Sequence, residues 1–138
     1  MFKTLNWGGA LAALIYGQAL SFLWYGTAFA AAERAMFPDA PSGPMVYAEG
    51  AALSLLLVIG LAWIVSATSS RGWMAGLRTG VVFWVLILLP IGLMNPVYMG
   101  TSLKQAQIDL GYELLFLAGA GALIGGLTVG RRRLSAPT

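Results

Sequence analysis

The stretch from Thr79 to Leu103, TGVVFWVLILLPIGLMNPVYMGTSL, contains no charged residue and is long enough to cross a membrane as a helix. The hydrocarbon core of a bilayer, about 30 Å thick, requires roughly 20 helical residues. Three further uncharged runs cover residues 4–32, 50–70 and 114–130. The chain of 138 residues is 59% hydrophobic and 9% charged, with a mean hydropathy of +0.79. We therefore predict an all-α integral membrane protein built as a four-helix bundle.

The predicted spans cover residues of about 7–32, 46–68, 79–100 and 110–130. The connections between them are short, so successive helices are expected to be antiparallel neighbours. Together the spans use nearly the whole sequence, which leaves no room for a second folded domain. The prediction is a single transmembrane domain over residues 1–138.

Charge alternates between the segments that connect these spans. Most basic residues lie in the two tails and in the loop between the second and third spans: Lys3, Arg71, Arg78, Arg131, Arg132 and Arg133. All five acidic residues lie in the two other stretches between the uncharged runs, residues 33–49 and 104–113. Cytoplasmic loops of membrane proteins carry an excess of Lys and Arg, so both termini are predicted to be cytoplasmic. The three carboxyl-terminal arginines are expected to contact anionic lipid, and the net charge of +3 therefore does not indicate nucleic-acid binding.

Small residues recur on one face of the fourth predicted span. They form one row with a spacing of four and a second pair beside it: Ala118, Ala122, Gly126 and Gly130, with Gly121 and Gly125. Small side chains let helix backbones approach closely in a membrane. The face fits two interpretations, close packing inside the monomer or homodimerisation through the same residues.

Aromatic and polar residues fall near the outer ends of all four spans: Trp24, Tyr25, Tyr47, Glu49, Asn95, Tyr98, Tyr112 and Glu113. Converging rings and carboxylates would form an outward-facing pocket for a cation or another small polar ligand. The alternative is an interfacial aromatic belt with acidic residues in the first turns of helices, where Asp109 is expected to act as a cap. Asn95 either contacts a ligand or satisfies a neighbouring helix or the backbone that is disrupted by Pro96.

Tyrosine motifs at the ends of the spans raise the alternative of an internal duplication. Tyr25-Gly26-Thr27 and Tyr98-Met99-Gly100-Thr101 end the first and third spans, while Tyr47 and Tyr112 open the second and fourth. Both halves would begin on the cytoplasmic side. The arrangement would then be a parallel two-plus-two repeat.

The sequence contains no histidine and no cysteine. The usual haem ligands, thiol catalysis, histidine acid–base relays and most zinc sites are thereby excluded. We expect no cofactor, no metal site and no catalytic residue, because an enzyme would depend on the outer carboxylates alone.

Several short motifs are spread along the chain: Leu23-Trp24-Tyr25-Gly26, Leu89-Pro90, Asn95, Tyr98-x-Gly100-x-Ser102 and Asp109-x-Gly111-Tyr112. With these motifs the chain resembles the small bacterial membrane proteins grouped as domain of unknown function 1761. It departs from that pattern at Gly26-Thr27, where such proteins have a serine and a proline. The resemblance implies a four-helix architecture in a bacterial inner membrane and gives weight to the Trp-Tyr and Gly-Tyr motifs. It implies no activity.

Three functions are compatible with these observations. The preferred one is a small non-enzymatic membrane protein that binds a partner or lipid through the small-residue face, as a homo-oligomer or as an accessory subunit of a larger complex. The second is a carrier or binder of a small ligand, a cation among the candidates, through the outer aromatic and acidic residues. The third is a membrane enzyme that acts on lipid.

Overall fold

A computed structural model describes residues 5–69 and 71–134, and it describes side chains as far as residue 127. All regular structure in these residues is helical. The predicted packing residue Gly130 and the predicted lipid contacts Arg131, Arg132 and Arg133 lie beyond the described side chains. Their roles stay predictions.

The described chain forms six α-helices and two π-helical segments: α1 (Trp7–Leu23), a first π segment (Trp24–Ala28), α2 (Ala30–Met36), α3 (Pro44–Ala67), α4 (Trp73–Phe83), a second π segment (Trp84–Leu88), α5 (Leu89–Met99) and α6 (Leu103–Leu134). The first π segment directly extends α1. The second joins α4 to α5, so that these three pieces form one long helix.

Within the described residues, three helices are long and apolar enough to cross a membrane: Pro44–Ala67, Trp73–Met99 and Leu103–Leu127. α1 has 17 residues and reaches a comparable length only together with the π segment that follows it. The fold is therefore all-helical and compatible with a membrane protein.

α6 begins at Leu103, well before the predicted start near residue 110. The Ser102 carbonyl accepts a hydrogen bond from the Ala106 amide, and the Ser102 hydroxyl accepts one from the Gln105 amide at 3.5 Å. Ser102 thus occupies the position at which a helix is capped. The expectation that Asp109 caps this helix is wrong, because Asp109 lies inside it.

α6 is the central helix of the fold. α1 and α4 pack on different faces of it, and α3 packs against α1 and α6. The buried core joins three helices through apolar side chains: Ala13 of α1, Val58 and Leu61 of α3, and Phe116, Leu117, Ala120 and Ile124 of α6. Because α1, α3, α4 and α5 all contact α6, its position sets the positions of their side chains.

α4 and α6 are in direct backbone contact. A Cβ atom added at Gly76 would overlap the Gly121 carbonyl, and one added at Gly80 would overlap the Leu117 carbonyl. The Gly72 amide donates to the Gly125 carbonyl at 3.1 Å, which closes the end of this contact. Gly121 and Gly125 of the predicted small-residue face therefore pack against α4 within the chain.

α1 is attached to α6 by Asn6 at its amino terminus. The Asn6 Oδ1 accepts from the Gly9 amide at 3.1 Å, and its Nδ2 donates to the Ile124 carbonyl at 2.9 Å. A Cβ at Gly9 would lie 2.8 Å from the Ile124 Cα. The amide thus caps α1 and ties it to α6 at the same point.

Candidate functional site

Polar side chains form a stripe along the amino-terminal part of α6. Gln105, Asp109 and Glu113 follow one another at intervals of four residues, which places them on one face of the helix. Because α6 begins at Leu103, all three belong to the same continuous helix. The stripe faces the region between α5 and α2.

A cavity of about 320 Å³ lies against this stripe. Its walls come from the second π segment, α5, α6, the end of α2 and the α5–α6 connection: Phe37, Leu88, Ile91, Gly92, Asn95, Thr101, Gln105, Ala106, Asp109, Leu110 and Glu113. Polar groups line one part of the cavity and aliphatic groups line the other. Its volume lies at the lower end of the range for small-molecule sites.

Asp109 is held by a hydrogen-bond network. The Tyr25 hydroxyl donates to Asp109 Oδ1 at 2.8 Å, and Gln105 Nε2 lies 3.0 Å from both carboxylate oxygens. Gln105 Nε2 also donates to Glu33 Oε1 of α2 at 3.1 Å. Asp109 therefore accepts hydrogen bonds from two side chains, and Gln105 connects α2 to α6.

The orientation of the Gln105 amide follows from this network, since only its nitrogen can donate to the carboxylates. Its Oε1 atom is buried and has no hydrogen-bond partner in the described part of the chain. An unsatisfied buried acceptor costs about 1–3 kcal/mol. The Gln105 hydrogen bonds that join α2 to α6 therefore form although the buried, unpaired Oε1 atom opposes them.

Glu113 lies one turn beyond Asp109 and differs from it in its contacts. Its side chain is partly buried and lines the cavity. No donor among the described residues forms a hydrogen bond with its carboxylate, and the negative charge of Asp109 repels the negative charge of Glu113. The two basic residues of the predicted outer segments are Arg34 and Lys104, and both are exposed. The Glu113 carboxylate therefore lines the cavity as an acceptor without a described donor.

Two tryptophans attach the neighbouring helices to this part of α6. Trp24 Nε1 donates to the Ile108 carbonyl at 3.1 Å, and Trp84 Nε1 donates to the Leu110 carbonyl at 3.0 Å. Each tryptophan is the first residue of a π-helical segment. Such segments are rare and frequent at functional sites. Both π segments therefore lie beside the polar stripe.

Two tyrosines of the predicted cluster, Tyr25 and Tyr112, lie where the end of the first helix meets α6. The Tyr25 and Tyr112 rings are 5.2 Å apart, and the Tyr112 and Phe116 rings are 5.8 Å apart. The Tyr112 hydroxyl donates to the Gly17 carbonyl at 3.3 Å. These rings, like that of Trp24, pack behind the stripe and do not line the cavity.

The family described as "Protein of unknown function (DUF1761)" matches residues 9–125, which is most of the chain. The chain belongs to the DUF1761 family. This confirms the resemblance drawn from the Trp-Tyr and Gly-Tyr motifs. Every cavity-lining residue of this DUF1761 protein lies inside the matched range. No curated protein and no solved structure matches the chain.

The remaining predicted site residues of the DUF1761 protein separate into two groups. Asn95 lines the cavity together with Glu113. Tyr47 and Tyr98 are 74% and 78% exposed, and Glu49 is exposed as well. The structure therefore brings Asn95 and Glu113 together and places Tyr47, Glu49 and Tyr98 on the surface.

Sequence reasoning missed Gln105 and Glu33 and assigned Asp109 only a capping role. The spacing of four between Gln105, Asp109 and Glu113 was the available signal, and it becomes visible once α6 is extended back to Leu103. Glu33 offered no comparable signal, because its contact with Gln105 joins positions far apart in sequence. Among the described residues, no group of three or more His, Cys, Asp or Glu could hold a metal ion.

Proposed function

We propose that this protein binds a small organic cation in the cavity between α5 and α6, with the Glu113 carboxylate as its counter-ion. The observation that carries the proposal is the contrast between two carboxylates one turn apart. Asp109 receives hydrogen bonds from Tyr25 and Gln105, whereas Glu113 lines the cavity without a described donor. A partly buried charge is stabilised when a partner of opposite sign is supplied.

The proposed site belongs to a protein that crosses the bacterial inner membrane four times, with both termini cytoplasmic. In the part of the chain that the structure describes, three helices qualify as spans by length and composition. α1 with its π segment provides a further uncharged helical path from Trp7 to Ala28. Large apolar side chains that are exposed, such as Phe22, Leu56 and Leu86, would then face lipid. The excess of Lys and Arg in the tails and the α3–α4 connection supports this orientation. The cavity would lie near the outer surface.

The small-residue face of α6 supports a partner-binding role less well. Gly121 and Gly125 are buried against α4, and their backbone contacts leave no space for a second helix. A homodimer through these residues would require α4 to move away first. The role proposed here is therefore ligand binding without catalysis, in keeping with a sequence that contains neither histidine nor cysteine.

Calorimetric titration of the protein in lipid nanodiscs tests this proposal, with hexylammonium and hexyltrimethylammonium as probes. Empty nanodiscs of the same lipid give the partitioning background. At least one cation should bind, and Glu113→Gln should weaken that binding by at least about tenfold, equivalent to 1.4 kcal/mol. Glu49→Gln is the matched control, since Glu49 is an exposed carboxylate of α3 outside the cavity.

Two results would refute the proposal. One is that neither cation binds the wild-type protein above the nanodisc background. The other is that Glu113→Gln binds as tightly as the wild type while Glu49→Gln does the same, because the Glu113 carboxylate would then contribute nothing to recognition.

A further inference from the structure

The cavity has two chemically distinct parts. Asn95 and Glu113 present polar groups, while Leu88, Ile91 and Leu110 present aliphatic groups. The cavity volume is about 320 Å³. A ligand that fills both parts has a polar head and a short apolar body.

Aromatic rings contribute little to the polar part of the cavity. Quaternary ammonium groups are recognised mainly by cages of aromatic rings, which attract a cation that has no hydrogen to donate. Trp24 and Tyr25 instead donate hydrogen bonds to α6, and Tyr112 of α6 packs against the Tyr25 ring. Phe37 is the aromatic residue of the described lining. The cavity therefore lacks the cage that a quaternary ammonium group requires.

The polar part of the cavity offers hydrogen-bond acceptors instead of aromatic rings. Both oxygens of Asp109 already accept from Gln105, and one accepts from Tyr25 as well. The Glu113 carboxylate has no described donor, and the Asn95 amide also lines the cavity. A head group with several N–H donors would satisfy these acceptors, whereas a quaternary head would leave Glu113 without a hydrogen bond at a cost.

We infer that the ligand is an amphipathic protonated amine, whose N–H groups donate to Glu113 while a short aliphatic chain packs against Leu88 and Ile91. This inference rests on the proposed binding function and narrows it. It excludes quaternary ammonium ions and amines without an apolar body from the preferred ligands.

The main comparison uses matched probes on the wild-type protein in nanodiscs at neutral pH, so it does not depend on the folding of a variant. Hexylammonium should bind at least about tenfold more tightly than hexyltrimethylammonium, which has the same chain and charge but no N–H group. Hexylammonium should also bind more tightly than methylammonium, by up to about fourfold for each buried methylene. Glu113→Gln should reduce hexylammonium affinity more than that of the quaternary ion.

The outcomes separate the inference from the function on which it rests. Equal or tighter binding of hexyltrimethylammonium would overturn the inference and leave cation binding in place. Equal affinities for methylammonium and hexylammonium would overturn the amphipathic part. If no probe bound above the empty-nanodisc background, the inference and the proposed function would fall together.

Discussion

The two halves of α6 meet the same long helix, α4 with α5, in opposite ways. In the carboxyl-terminal half, Gly121 and Gly125 touch the backbone of α4, with no room for a Cβ atom. In the amino-terminal half, Asp109 and Glu113 border a cavity of about 320 Å³. One pair of helices is thus closely packed at one end and open at the other. Stability and ligand binding are therefore expected to depend on different residues of one helix.

The change from contact to cavity coincides with the second π segment. The Leu89 amide donates to the Trp84 carbonyl five residues earlier, so the helix makes a wide turn there. Pro90 follows directly and has no amide hydrogen to donate. A wide turn immediately before a proline lets the helix continue while its direction and register change. This local chemistry explains why α5 does not repeat the close packing of α4.

The largest expected effect comes from filling the closely packed half. Gly121→Leu would force a side chain into the Gly76 backbone, which cannot yield as a flexible side chain would. We expect a loss of more than about 3 kcal/mol in the free energy of unfolding, or no folded protein. Thermal and denaturant unfolding in detergent would measure it.

Gly60→Leu is the matched control for this change, because a Cβ at Gly60 meets nothing within 4 Å. It should leave the free energy of unfolding within about 0.5 kcal/mol of the wild type. If Gly121→Leu were as stable as Gly60→Leu, and only its oligomeric state changed, the packed half would be an interface between chains instead.

Next in size is the loss of the hydrogen bond between Tyr25 and Asp109. Tyr25→Phe keeps the ring contact with Tyr112 and removes the donor 2.8 Å from Asp109 Oδ1. Hydrogen bonds to charged groups are worth about 1.5–3 kcal/mol in water-soluble proteins and less between membrane helices, so we expect a loss of about 1–2 kcal/mol. Tyr98→Phe, at an exposed position, should cost almost nothing in the same unfolding assay. Equal stabilities of the two variants would show that the network around Asp109 does not stabilise the fold.

A smaller and more local effect is expected at the bridge between α2 and α6. Gln105→Met removes the donor shared by Glu33 and Asp109. Backbone amides of α2 should exchange with solvent deuterium about fivefold faster, which corresponds to about 1 kcal/mol of local stability. Gln107→Met makes the same change at an exposed position of the same helix. Unchanged exchange in α2 for Gln105→Met would mean that other contacts hold this helix.

The apolar helices and the small-residue face of α6 could be predicted from sequence because hydropathy and residue size report directly on membrane insertion and close packing. The start of α6 could not, since Lys104, Asp109 and Glu113 interrupt the uncharged run while the helix continues through them. Hydropathy marks the apolar part of a helix and not its end. The polar stripe was missed for the same reason.

The sequence also did not predict which aromatic residues are exposed and which pack between helices. Tyr47 and Tyr112 stand in similar local sequences, yet Tyr47 is 74% exposed near the start of α3, whereas Tyr112 lies well inside α6 and packs against α1. The difference arises from the central position of α6, which is a property of tertiary packing. Local motifs therefore suggested a symmetry between the halves that does not extend to these contacts.

The smallest expected effect lies at Trp84, where the packed half gives way to the cavity. Trp84→Phe keeps an aromatic ring and removes the indole donor 3.0 Å from the Leu110 carbonyl. That carbonyl belongs to a helix and can keep its helical hydrogen bond, so the loss should be only about 0.5–1 kcal/mol. Trp63→Phe, at a position 48% exposed, serves as the control in unfolding measurements. Trp84 joins the second π segment to Leu110, and both contribute to the cavity wall, so its replacement should weaken hexylammonium binding while Trp63→Phe does not. Unchanged binding in Trp84→Phe would mean that packing alone holds the cavity wall in place.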